Sequence, residues 1–130
     1  MNNLMKNKRG LVMGVANDKS IGWGIAKAIS DQGGELAFTY QGEALKKRVI
    51  PLADSVNSEI VLPCDVSNDE DIDNTFNELK KKWPNIDFLV HAIAFSDKDE
   101  LKGDYIDTSR ENFINTMDIS VYSFTAIARR

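Results

Sequence analysis

GLVMGVANDKSIGWGIA, residues 10–26, decides the fold. Its opening run, Leu11 to Met13, is short and apolar, as a strand buried on both faces must be, and it ends at Gly14, which can turn without a Cβ penalty. A helix is expected to start near Ser20, with Ile21, Ile25, Ala28 and Ile29 on one face. The stretch therefore reads as strand, turn and helix, the first half of a βαβ unit. Such a turn sets helix N-terminal N–H groups where a pyrophosphate can bind. Its spacing departs from the usual G-x-G-x-x-G fingerprint, because seven residues separate Gly14 from Gly22.

Outward from this unit, strand and helix alternate. Gly33-Gly34 stops the first helix, and Glu35 to Tyr40 (ELAFTY) supplies a second strand that turns at Gln41-Gly42. Leu45, Val49, Leu52, Ala53 and Val56 mark a helical stripe that Pro51 is expected to kink or divide. A third strand, Glu59 to Pro63, leads into Cys64-Asp65-Val66. Ser67 with Glu70 has capping-box spacing, and Ile72, Phe76, Leu79 and Trp83 form the apolar side of a helix ended by Pro84. Asp87 to His91 is the fourth strand. After a polar loop, Thr108 with Glu111 opens another helix, whose expected apolar face is Phe113, Met117, Val121, Phe124 and Ala128. This alternation predicts an α/β fold, a doubly wound parallel sheet with right-handed crossovers.

The chain has 130 residues, is 42% hydrophobic and 28% charged, and carries a net charge of −4, which suits one domain and gives no footprint for nucleic acid. Lys6, Lys8 and Arg9 precede no long apolar segment, so neither a signal peptide nor a membrane span is expected. Cys64 is the single cysteine. It has no disulfide partner and no metal-ligand spacing, and a cytoplasmic location with no metal site is the expectation.

Ligands of such sheets bind beyond the carboxyl ends of the strands, so Gly14, Gln41, Asp65-Val66 and Ile93 to Ser96 are the residues to inspect. An Asp beside a backbone N–H can accept from the exocyclic amine of adenine while the N–H donates to a ring nitrogen. The plainer alternative for Asp65 is a carboxylate favouring a helix dipole. Gln41 stands where an acidic residue usually holds the ribose of NAD; it can bond a ribose hydroxyl without repelling a 2′-phosphate. Lys46, Lys47 and Arg48 just downstream fit either a 2′-phosphate or a solvated helix face. His91, Phe95 and Trp23 are read as packing residues.

The runs GVANDKSIGWGIA, ELAFTYQ, IVLPCDV, DFLVHAIAFSDK and MDISVYSF closely resemble the NADH-dependent bacterial enoyl-[acyl-carrier-protein] reductases, a divergent branch of the short-chain dehydrogenase/reductase family. The wide Gly14 to Ser20-Ile21 spacing, Gln41 and the HAIAF segment carry that resemblance over nearly the whole chain. It implies a Rossmann-type sheet, present here as four of the family's strands, with residues 1–130 as the N-terminal NAD-binding half of a single domain and the catalytic half absent. By the same resemblance Gly14, Ser20 and Ile21 meet the pyrophosphate and its ribose, Gln41 the adenosine ribose, Asp65 and Val66 the adenine, and Ile93 the nicotinamide half. Ser96 corresponds to a position whose backbone contacts the acyl substrate. The implied reaction is reduction of a trans-2-enoyl chain on acyl carrier protein by NADH in fatty-acid elongation, by a homotetramer.

The family's catalytic pair is a tyrosine with a lysine seven residues later. Only Tyr40 and Lys47 have that spacing, and Tyr40 ends the second strand on the adenosine side, so no catalytic residue is assigned and the 130 residues alone are expected to be inactive. A nucleotide-binding fragment without catalysis, and a short-chain dehydrogenase acting on a carbonyl, are the alternatives.

Overall fold

The computed structural model describes residues 3–130. Four parallel strands, β1 (Arg9–Met13), β2 (Glu35–Tyr40), β3 (Ile60–Pro63) and β4 (Phe88–His91), form one sheet in the order β3-β2-β1-β4. Helices α1 (Ile21–Asp31), α2 (Glu43–Ser55) and α3 (Asp69–Lys82) make the crossovers. Beyond β4 come two 3₁₀ turns, Lys98–Leu101 and Tyr105–Asp107, and then α4 (Arg110–Met117), a π-helical turn (Asp118–Tyr122) and α5 (Ser123–Ala128). β1 is central: Leu11 pairs with Ala37 on one side and Leu89 on the other.

The two-residue period of the strands sorts their side chains into two cores. Leu11, Met13 and Ala37 face α3 and α5, where Ile72, Phe76, Leu79 and Ile127 cover them. Val12, Leu36 and Phe38 face α1 and α2 and meet Trp23, Ala26, Val49 and Ala53. Each fully buried Leu, Val or Phe contributes roughly 1.5–3 kcal/mol relative to exposure, which is why these short runs hold as strands. Among the described residues no helix is long and apolar enough to cross a membrane.

Several local expectations are corrected. In α1 the face turned to the sheet is Gly22, Trp23 and Ala26, whereas Ile21 is 82% exposed and Ile25 and Ala28 lie outside. Close approach decides this: a Cβ on Gly22 would stand 3.3 Å from that of Ala92, so only the small edge of the helix fits there, and Trp23 then packs on Phe38. Pro51 does not divide α2, which runs unbroken with the proline on its solvent side. Both capping boxes move on by one residue. Asn68 caps α3 by accepting from Asp71 N–H, because the Ser67 hydroxyl is already given to Asp65; Ser109 caps α4 by accepting from Asn112 N–H, because Thr108 is given to Glu100.

The last helix departs most. It is interrupted by the π-turn, and the stripe expected to be buried is exposed in this chain: Phe113, Met117, Val121 and Phe124 are 42–53% accessible. The buried side is instead Ser123, Ala126 and Ile127.

Candidate nucleotide site

A cleft of about 410 Å³ opens at the carboxyl ends of the strands. Gly14, Gln41, Val66 and Ile93, one expected site residue from each strand end, line it together, joined by Phe95, expected as a packing residue of the Ile93 to Ser96 stretch, and by Ile119, which nothing in the sequence singled out. Ser20, Ile21, Asp65 and Ser96 are not in its wall. Asp65 lies between two residues that are, Cys64 and Val66, and Ser96 follows Phe95. A second cavity of about 490 Å³ lies at the other end of β4 around Trp83 and Phe88, remote from all eight.

Gly14 has φ of +99°, a left-handed value that disfavours any side chain, and a Cβ there would fall onto the Ala92 carbonyl, 2.5 Å from its carbon. The glycine thus serves the approach of the first turn to the β4 loop. The long spacing that follows has its own logic. Ser20 Oγ accepts from Ala16 N–H at 3.0 Å and Asn17 N–H at 3.1 Å, and Asn17 Oδ1 accepts from Lys19 N–H, so residues 16–20 fold around one hydroxyl. That hydroxyl points into the loop and not at the helix. Among the described residues no side chain therefore caps the first N–H groups of α1, and its first turn has no acidic residue. An open helix N-terminus of this kind favours an anion.

At the end of β3, Asp65 Oδ1 accepts from Ser67 N–H and from its hydroxyl, which leaves Oδ2 without a partner among the described residues. Asp65 N–H donates to Asp71 Oδ2 at 2.6 Å; Val66 N–H has no partner among the described residues. An acceptor and a donor thus stand on adjacent residues beside the cleft. Asp71, which ties this turn to α3, was missed in the sequence, since a contact six residues apart has no periodic signature. Lys46 lies 5.9 Å from the Tyr40 ring centroid and 3.9 Å from Glu43, so this member of the basic cluster is partly neutralised beside Gln41. Burial pushes the Cys64 thiol up, which keeps it protonated and unreactive.

His91, at the end of β4, sits 2.7 Å from Ser123 Oγ through Nε2. Ser123 spends its only hydrogen on the Ile119 carbonyl at 2.6 Å, so Nε2 is the donor to Ser123 Oγ. Burial lowers its pKa from 6.5. The unfolded chain then takes up the proton first as pH falls, so stability is full above pH 6.5 and declines as pH drops through the folded-state value. Urea midpoints measured across that interval should fall with pH in the wild type and stay flat for His91→Gln, ahead of the carboxylate losses at lower pH; equal slopes would refute the assignment.

A parallel sheet whose strand ends share one cleft with a glycine turn and an open helix N-terminus is a Rossmann-type α/β domain. The family model described as enoyl-(acyl carrier protein) reductase matches residues 14–130. The enoyl-[acyl-carrier-protein] reductase [NADH] 2 of Rhizobium meliloti (strain 1021) is 62% identical over 130 residues, all of this chain and 48% of the relative. The crystal structure of FabI from Candidatus Liberibacter asiaticus superposes with a TM-score of 0.98 at 54% identity, over 99% of this chain and 50% of that one. A second, the Anaplasma phagocytophilum enoyl-(acyl-carrier-protein) reductase in complex with NAD, gives 0.95 at 56% identity, over 99% and 50%. The chain belongs to the enoyl-(acyl carrier protein) reductase family, and it spans about half the length of the relatives it matches.

Proposed function

We propose that this chain supplies the cofactor-binding half of a reductase that uses NADH to saturate the carbon–carbon double bond of a trans-2-enoyl thioester on acyl carrier protein, in fatty-acid elongation. One observation carries the reading: residues from all four strand ends converge on a single cleft, beside an uncapped helix N-terminus. When bound, NADH supplies the hydride. The chain's own residues bind and orient. Gly14, Ser20 and the N–H of Ile21 receive the pyrophosphate and its ribose, Gln41 bonds the adenosine ribose, and Asp65 with Val66 N–H reads the adenine edge. Ile93 borders the nicotinamide, and the Ser96 backbone faces the acyl chain.

Residues 1–130 are read as the N-terminal half of one domain, with the proton-donating tyrosine and lysine contributed by the other half. Tyr40 does not fill that role: it lines the cleft beside Gln41, two strands from β4 in the sheet, with Lys46 over its ring. Acyl carrier protein as partner, homotetrameric assembly, a cytoplasmic location and no role for nucleic acid or membrane belong to the same reading. Fluorescence titration with NADH followed by addition of crotonyl-acyl carrier protein tests it. The 130 residues should bind NADH and leave it unconsumed. Absence of NADH binding, or preference for a keto over an enoyl thioester in the polypeptide as its gene encodes it, would overturn the proposal.

A further inference from the structure

The wall of the cleft beyond β4 is not held by the sheet. After Ala92 N–H, which still bonds Met13 O at 3.0 Å, the chain leaves the ladder, and the N–H groups of Ile93 and Ala94 have no partner among the described residues. What fixes this segment is the helix behind it. Ser120 Oγ accepts from Phe95 N–H at 3.0 Å and donates back to Phe95 C=O at 3.2 Å, closing a two-way clamp on one residue's main chain. Asn112 Nδ2 and Thr116 Oγ1 meet the Ser96 hydroxyl at 3.1 and 3.2 Å, and Asn112 Oδ1 accepts from Asp97 N–H. These contacts descend one helix face from Asn112 to Ser120.

Ser120 sits inside the π-turn Asp118–Tyr122, where Ser123 N–H reaches back five residues to Asp118 O. Single π-turns within α-helices recur at functional sites, because they widen the helix where a partner must be met. Here the widened turn meets the backbone of Phe95, itself in the cleft wall with Ile93 and Ile119. A clamp on main chain is insensitive to which side chain position 95 bears, and it removes two rotatable peptide groups from a loop that would otherwise be free to move.

We propose that Ser120 is a positioning residue for this site: by clamping the Phe95 peptide it sets the course of residues 93–96, and so the nicotinamide-side wall, without touching the cofactor itself. The inference rests on the dinucleotide reading above. Its effect must fall on one half of the ligand only, because Gln41, Asp65 and Val66 lie at the ends of other strands.

The test compares Ser120→Ala and Ser120→Thr with wild type, in the polypeptide as its gene encodes it, using NADH and ADP-ribose as probes. Ser120→Ala should weaken NADH roughly three- to tenfold, the loss of one or two neutral hydrogen bonds, while ADP-ribose affinity stays constant and Ser120→Thr recovers most of the loss. Equal losses for both probes would make Ser120 a general structural residue, and no loss for either would make it idle; each overturns the proposal. Amide exchange on the nucleotide-free protein separates this from failure of the dinucleotide reading. If wild type binds neither probe, that reading falls and the positioning role falls with it, whereas loss of Phe95 N–H protection in Ser120→Ala still establishes the clamp; undiminished protection rejects the clamp too.

Discussion

Gly14→Ala is expected to lose about 2–5 kcal/mol of stability, combining the cost of a left-handed conformation with that of forcing an atom into packed backbone. The added methyl has nowhere to go. Its Cβ would lie on the Ala92 carbonyl and 3.2 Å from Ile93 N, and both belong to main chain that cannot rotate aside. Relieving it means pulling the first turn away from the β4 loop, which separates the two sides of the cleft. Against the roughly 5–15 kcal/mol that keeps an ordinary domain folded, this is a large share. Urea denaturation should show a much lower midpoint, and whatever remains folded should no longer bind NADH. Gly24→Ala, where a Cβ meets nothing within 4 Å, is the matched control and should change little. A Gly14→Ala protein as stable as wild type would refute this account of the turn.

Asp65→Asn is expected to weaken NADH by about 10- to 100-fold, the range for a hydrogen bond to a charged group. Asn is a sharper probe than Ala here. Asp65 Oδ1 accepts two bonds from Ser67, so the amide oxygen must remain there and the turn into α3 is preserved. The amide nitrogen then occupies the Oδ2 position and presents hydrogen to the adenine amine, donor against donor. Asp65→Ala removes the acceptor as well as the Ser67 contacts, so it should lose both affinity and some stability. Isothermal titration with NADH beside thermal melts separates the two effects; an Asn variant with wild-type affinity would sink the adenine placement.

How much of this was legible in the sequence follows from the range of the interactions. The four strands were legible because parallel strands buried on both faces need runs such as LVM and LAF, and these occur between glycines and helical stripes. The strand-end residues came with them, since a parallel sheet brings its carboxyl ends to one side by topology alone. Orientation was less legible. Both edges of α1 are apolar, and only the close approach of Gly22 to Ala92 selects between them. Likewise Phe113, Met117, Val121 and Phe124 keep a helical period along a helix whose covered side is Ser123, Ala126 and Ile127. Least visible were the groups that position others: Ser20 as the centre of its loop, Asp71 on Asp65, Ser120 on Phe95. Each is an ordinary polar residue whose importance lies in where a distant peptide group comes to rest.

The order β3-β2-β1-β4 also has a consequence in time. During synthesis the chain can complete β1, β2 and β3 once Pro63 has emerged, but the other side of β1 stays unpaired until Phe88–His91 arrive, 25 residues later counting from Pro63 to Phe88. At ribosomal rates this is about 1–5 s, long beside the microseconds in which a chain of such length collapses. For that interval β1, the most deeply buried strand of the sheet, offers a bare edge to any neighbouring nascent chain. Crowded polysomes would therefore be where this sequence is most at risk of joining the wrong sheet.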